Sequence, residues 1–202
     1  RALVESLYAS PTSLTIGALA GILLSITVAI AAQDVFVTLC AIVICAIAVS
    51  RAISASFFHR QLMRGRANAS RGWELAYELG AWGYAAMLGI LALVTLLRSD
   101  SATIHILSVA LATGYAGGIS GRNAGRVQIA IGQVFLALAP TSIGLWIEGS
   151  TGYRVLAVVL AIMILGMAEI SRTTHRIVVE ALRAKQEQSQ LAAKLERLAR
   201  YD

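Results

Sequence analysis

Residues 153–202 read YRVLAVVLAIMILGMAEISRTTHRIVVEALRAKQEQSQLAAKLERLARYD, and the reading of this stretch decides the fold. Its first half is apolar enough to cross a bilayer, whereas its second half is charged and repeats every seven residues. No glycine follows Gly166 and no proline follows Pro140, so no residue type that breaks a helix interrupts the passage from one half to the other. Ile170, Ile177, Ala184, Leu191 and Leu198 fall seven apart, with Thr174, Ala181, Gln188 and Leu195 between them. That is a heptad seam over about four repeats. Glu180 and Lys185 have the spacing of an interchain pair in a parallel dimer, while Ala184 and Gln188 weaken the middle of the seam. The spacing predicts a rod of about 48 residues, roughly 70 Å long and nearly 50 Å of it beyond the membrane. The plainer alternative is a solvated amphipathic helix lying on its own chain.

Composition agrees with a membrane setting. The 202 residues are 57% hydrophobic and 14% charged, against about 25% charged in a soluble domain. A β-barrel would show alternating segments of about ten residues, and the sequence has none. Apolar runs near Leu14–Ala32, Val35–Phe57, Glu78–Leu97, Thr103–Ile119, Val127–Ile147 and Tyr153–Ile170 approach the roughly 20 residues that span a bilayer. Ser10 and Pro11 open the first, and Leu3, Leu7 and Tyr8 before it share a helical face suited to the interface. The chain opens at Arg1 rather than Met, so a preceding segment is expected, and no cleavable signal peptide is visible.

Basic residues set the expected orientation. Counted by connector, Arg51, Arg60, Arg64, Arg66 and Arg71 fall between the second and third runs, Arg122 and Arg126 between the fourth and fifth, and seven more in the tail. The other side holds Arg98 and Arg154 beside Asp34, Asp100 and Glu148. The asymmetry predicts both termini and the even-to-odd connectors in the cytoplasm. It makes the net charge of +6 a topology signal and no evidence of nucleic-acid binding. Trp73, Tyr77, Trp146 and Tyr153 fall at the expected boundaries. Short outer connectors leave no room for an external binding domain, so any signal must enter the bundle.

The fold expected is therefore an all-α membrane protein: a sensor bundle of six transmembrane helices over residues 1–170, and a coiled-coil signalling helix over 171–202. The closing LERLARYD (195–202) resembles the linker that precedes GGDEF, or diguanylate cyclase, domains. There Tyr201 and Asp202 would take the last linker position and the opening Asp. GYAGGISGRNAGR (114–126) and the six-run region are similar to membrane sensor regions of bacterial GGDEF and GGDEF–EAL proteins. The resemblance implies a homodimer in a bacterial inner membrane, controlling cyclic-di-GMP synthesis. The cyclase signature, metal-binding Asp and substrate-binding Asn of that family are missing from this chain, so no catalytic residue carries over. GTP and Mg would belong to the output domain, and no cofactor is expected here.

Candidate contacts are few. Arg122, Asn123 and Arg126 in GGISGRNAGR can grip an anion or lipid phosphates, or serve only to fix the turn. Pro140 frees the carbonyl of Leu136 and should kink the fifth helix; with Gln133, Thr141 and Ser142 it outlines a candidate polar pocket for a small-molecule or lipid signal. Gly17 with Gly21, Ala81 and Ala85 with Gly89, and Gly114 with Gly118 have the spacing of close helix contacts. Dimer positions are Ile170, Ile177, Ala181, Ala184, Leu191, Leu195 and Leu198. Cys40 and Cys45 lie about 140° apart on one helix and do not pair. His59, His105 and His175 cannot meet, which argues against metal or haem. A transporter would carry charge inside its spans, and here the interiors read as uncharged with Glu78 and Glu169 at helix ends. The remaining alternatives are a sensor for another output enzyme, such as a histidine kinase, and a passive anchor.

Overall fold

Inside hydrocarbon a backbone must satisfy its own N–H and C=O groups, and a continuous helix does so within one segment. The computed structural model describes residues 11–63, 71–122 and 127–199, which form helices α1 (Pro11–Ala32), α2 (Val35–Met63), α3 (Arg71–Arg98), α4 (Ala102–Arg122), α5 (Val127–Glu148) and α6 (Thr151–Ala199). There is no strand among the described residues. Each of the six helices is long and apolar enough to cross a membrane. Ser10, Leu3, Leu7 and Tyr8, read from sequence as a cap and an interfacial turn, lie outside the described residues, as do Arg64 and Arg66.

At one end the connectors are two or three residues long, so the helices they join run antiparallel. Each reversal has a local device. Gln33 takes φ 50°, stopping α1 in the left-handed region. Its N–H donates to the Ala29 carbonyl at 3.2 Å and its side-chain amide to that of Ile30 at 2.7 Å. Asp34 then caps α2, its Oδ1 accepting from the N–H groups of Phe36 (2.8 Å) and Val37 (3.2 Å). Gly149, at φ 91°, ends α5 in the same left-handed way.

The helices α3 and α5 share the most extensive interface, α4 touches α1, α3, α5 and α6, and α2 bridges α1 and α3. Val28, Ile44, Leu88 and Leu91 form one buried cluster. Leu96, Val109, Leu145 and Leu160 form a second, and Ala116, Val134 and Leu138 receive Met163 and Met167 from α6. Outside, Val35 (71%) and Leu165 (72%) stand exposed. A bundle apolar within and without belongs in lipid. Hydroxyls are retired into the helices that carry them: Ser25, Thr27, Thr95 and Thr141 each donate to a carbonyl three or four residues back.

The proline of α5 leaves the helix continuous from Val127 to Glu148. Where it frees the Leu136 carbonyl, α3 makes its nearest approach. A β-carbon on Gly89 would lie 2.5 Å from that oxygen and 2.7 Å from the Ala137 oxygen. A hydrogen of Gly89 occupies that direction instead, turning a Cα–H bond toward the freed acceptor. The expected contact at Gly21 is likewise real, since the Tyr84 hydroxyl fills the place of its β-carbon. Gly114 and Gly118 differ: nothing lies within 4 Å of a β-carbon at either. They face outward from α4, because α1, α3, α5 and α6 occupy its other sides.

Two helices outrun their apolar runs. The helix α3 begins at Arg71 rather than near Glu78, and α2 continues past Phe57 to Met63. Hydropathy marks the part of a helix in lipid, whereas helix length follows tertiary partners, here Tyr77 on α3 buried against α2. Replacing Gly89 with Val should lower the thermal unfolding midpoint measured by circular dichroism in micelles, because two carbonyls must move. Gly114→Ala should leave it unchanged or raise it slightly, by up to about 1 kcal/mol of helix propensity.

Candidate functional site

Arg51 lies inside the apolar span Val35–Phe57 of α2, six residues or about 9 Å from Phe57. The loop-by-loop count places it in a connector; the structure corrects this, because α2 carries it into the bundle. The side chain is half-buried. On α3, Tyr77, Gly80 and Tyr84 recur at spacings of three and four and so share one face. Gly80 has no side chain, and the Cγ and Cδ of Arg51 lie 3.1 and 3.4 Å from where its β-carbon would be. The guanidinium carbon sits 5.9 Å from the centre of the Tyr77 ring and 5.4 Å from that of Tyr84.

The cluster continues across the bundle. The Tyr84 ring meets that of Tyr115 on α4 edge to face, with centroids 5.2 Å apart. The Tyr115 hydroxyl donates to Gln133 Oε1 on α5 at 3.3 Å, and Gln133 is fully buried. Four helices thus converge on a band of polar groups. An arginine within a span costs about 2.5–3.5 kcal/mol on insertion scales, and each ring returns about 0.5–2 kcal/mol. The rings offset part of the cost. Among the described residues no carboxylate lies within 4 Å of Arg51, and its buried Nη2 has no hydrogen-bond partner.

Open space meets at this residue. A cavity of about 60 Å³ lies beside Arg51, Ser54, Tyr77 and Gly80. A smaller one, about 20 Å³, is bounded by Ala18, Ala48, Arg51, Ala52, Tyr84 and Tyr115. Ala18, Ala48 and Ala52 also form the wall of an apolar groove of about 440 Å³ between α1 and α2.

The far end of the bundle is tied differently. Arg98 closes on Asp34 through Nη2 and Nε, both at 2.8 Å from Oδ2, and its guanidinium stacks 4.5 Å over Phe36. Slight burial of the Asp34 carboxyl works to raise its pKa. The hydrogen bond from Arg98, the two backbone N–H donors and the Arg98 charge outweigh it and hold the group below its ordinary 3.8. His105, buried on α4, lies 2.7 Å from the Ser99 carbonyl through Nε2 and 2.9 Å from the Tyr153 hydroxyl through Nδ1. A carbonyl only accepts, so Nε2 carries the proton and, in the neutral ring, Tyr153 donates to Nδ1. Nearby, the hydroxyl oxygens of Thr95 and Ser108 lie 2.8 Å apart, each beside a carbonyl of its own helix.

The residues read from sequence as one polar pocket go separate ways. Gln133 turns to Tyr115 on α4, Thr141 bonds back to Ala137 at 2.8 Å, and Ser142 donates to the Ala157 carbonyl of α6 at 2.8 Å. Pro140 lies against Gly89. Arg122 closes α4, while Asn123 and Arg126 lie outside the described residues. Arg51 was legible in principle: it is a charge inside an 18-residue apolar window, opposite tyrosines at helical spacing. No group of three or more His, Cys, Asp or Glu with metal-binding placement occurs among the described residues. No family model, curated protein or solved structure matches this chain.

A lowered carboxylate pKa stabilises the fold fully above the unfolded value of 3.8, and the contribution fades as pH falls through the folded value below it. The stability gap between wild type and Asp34→Asn, measured by denaturant titration in micelles, should therefore be constant above about pH 5 and shrink below pH 3.8.

Proposed function

We propose that this chain is a membrane sensor and transducer in which the six-helix bundle controls an output domain through α6. The observation that carries this reading is the continuity of α6: 49 residues from Thr151 to Ala199, with the helix unbroken through Ser171–Arg176. At 1.5 Å per residue it is about 73 Å long, more than twice the roughly 30 Å hydrocarbon core. Its early turns are fixed to the bundle by Tyr153 on His105 and by the Ser142 bond to Ala157. Ala157 and Leu160 are buried, and Met163 and Met167 pack against Leu138 and its neighbours.

Beyond the buried Ser171 the apolar stripe continues without cover from the other described residues. Ile177 is 61% exposed and Leu191 59%. Ala181 and Ala184 are exposed too, and Leu195 and Leu198 fall on the same stripe in sequence. An apolar seam at heptad spacing suits a second copy of the same helix, so the active form in this reading is a homodimer coiled through residues 170–198. The loop charges support cytoplasmic termini, and the likeness to GGDEF sensor regions supports a bacterial inner membrane. LERLARYD supports a GGDEF output that joins GTP molecules with Mg, and a histidine kinase is the alternative output. Arg51 supplies the intramembrane charge that a transporter reading needs, and a flux assay in proteoliposomes separates that reading from control of an output domain.

Single cysteines placed along α6 in a Cys40→Ala, Cys45→Ala background should crosslink in native membranes with heptad phase. Ile170→Cys, Ile177→Cys and Leu191→Cys should give dimers, and Thr173→Cys, Glu180→Cys and Glu187→Cys far fewer; equal yields at all positions would overturn the coil. Leu191→Asp should weaken dimers by about 2 kcal/mol or more per protomer, from lost leucine burial and a desolvated charge. Inserting one to seven residues after Lys185 should alter output with heptad phase, and output independent of phase would overturn transmission through α6.

A further inference from the structure

We infer that the α1–α2 groove and Arg51 together form a binding site for a long-chain carboxylate, with one acyl chain in the groove and its carboxylate on Arg51. The inference deepens the sensor reading by naming the class of signal, and rests on that reading only for what binding does to α6.

Three observations converge on this ligand. The first is charge. Arg51 is a permanent cation within an apolar span, cushioned by the rings of Tyr77 and Tyr84, and no carboxylate among the described residues reaches it. Its Nη2 is buried and has no hydrogen-bond partner among those residues. An anion that supplies an acceptor there makes a charge-assisted bond in a low-dielectric setting, where such bonds are strongest.

The second is shape. The groove of about 440 Å³ is lined on its open side by Leu19, Ile22, Val49 and Ile53. At that volume, and open along one side, the groove has room for an acyl chain. The third is connection. Ala18, Ala48 and Ala52 border both the groove and the cavity that Arg51 bounds. Short side chains at this seam give a ligand in the groove a way to the guanidinium.

The size of the inner cavity selects the headgroup. At about 20 Å³ it takes about one water-sized group, which suits the oxygen of a flat carboxylate and not a tetrahedral phosphate diester with its glycerol. Reaching out to lipid phosphates is the ordinary behaviour of an arginine near the end of a span. Here the guanidinium instead packs against the rings of Tyr77 and Tyr84 on α3.

The test uses the full chain in phosphatidylcholine nanodiscs, with 11-(dansylamino)undecanoate as fluorescent probe and palmitate as competitor. Saturable binding displaced by palmitate is expected, with hexadecanol at least about tenfold weaker because it lacks the charge. Arg51→Gln should weaken the probe by at least about tenfold, and Ala52→Leu, which fills the seam at an exposed position, should weaken it comparably. Equal binding by folded Arg51→Gln overturns the site. If that variant does not fold, Ala52→Leu decides, and wild-type affinity there overturns it. Displacement by hexadecanol as strong as by palmitate overturns the role of the charge, and displacement by phosphatidic acid but not palmitate overturns the choice of headgroup. Binding that leaves crosslinking at Ile177→Cys unchanged upholds the site and counts against the sensor reading instead.

Discussion

The constraint on which this structure depends is that a backbone in hydrocarbon must satisfy its own hydrogen-bonding groups. It makes helices of all six apolar runs, and it explains where the polar side chains go. Threonines and serines within the spans bond back to the helices that bear them. Where a proline breaks the ladder, a neighbouring helix supplies the remedy. The carbonyl of Leu136 loses its usual donor to Pro140, and α3 brings Gly89 against it. The most extensive helix contact in the bundle thus includes a backbone acceptor that Pro140 leaves without its usual donor.

Arg51 is the exception that this economy makes conspicuous. The span threonines and serines cited above are absorbed by their own helices, whereas the guanidinium is met by aromatic faces and small cavities. The rings lower the cost of holding the charge in place without neutralising it. Such a group stays responsive to whatever anion arrives. Tyr84 makes the arrangement collective, since it touches Gly21 on α1, Arg51 on α2 and Tyr115 on α4.

Much of the architecture was legible in the chain, and the lapses have identifiable causes. Runs of twenty apolar residues mark spans well, so α1, α5 and the loop ends at Ala32, Arg98 and Glu148 fall within a few residues of expectation. The start of α3 was missed because Arg71–Tyr77 is too polar for a hydropathy signal, yet it forms helix with a buried partner across α2. Arg51 was assigned to a loop because counting charges by connector ignores which way a side chain turns. Spacing alone also cannot separate Gly89, pressed against α5, from Gly114 on an open face. Gln133, Thr141 and Ser142 bond to different neighbours, because residues eight or nine apart on a helix need not address the same one. The unbroken passage of α6 past Ser171 was readable from residue types, while what covers its exposed stripe lies beyond any single sequence.

The placement of the ties on α6 has a mechanical consequence. Both the Tyr153 bond and the Ser142 bond hold the helix near its first turns; Leu160 is buried one turn on, and of the residues packed beyond it, Met163 and Met167 re-pack at little cost. Those early turns therefore act as a fulcrum. About such a point, a swing of about 5° moves the far end of a 73 Å rod by about 6 Å. A rearrangement too small to break a single buried contact at the fulcrum would still shift the distal tip by more than the pitch of a helix.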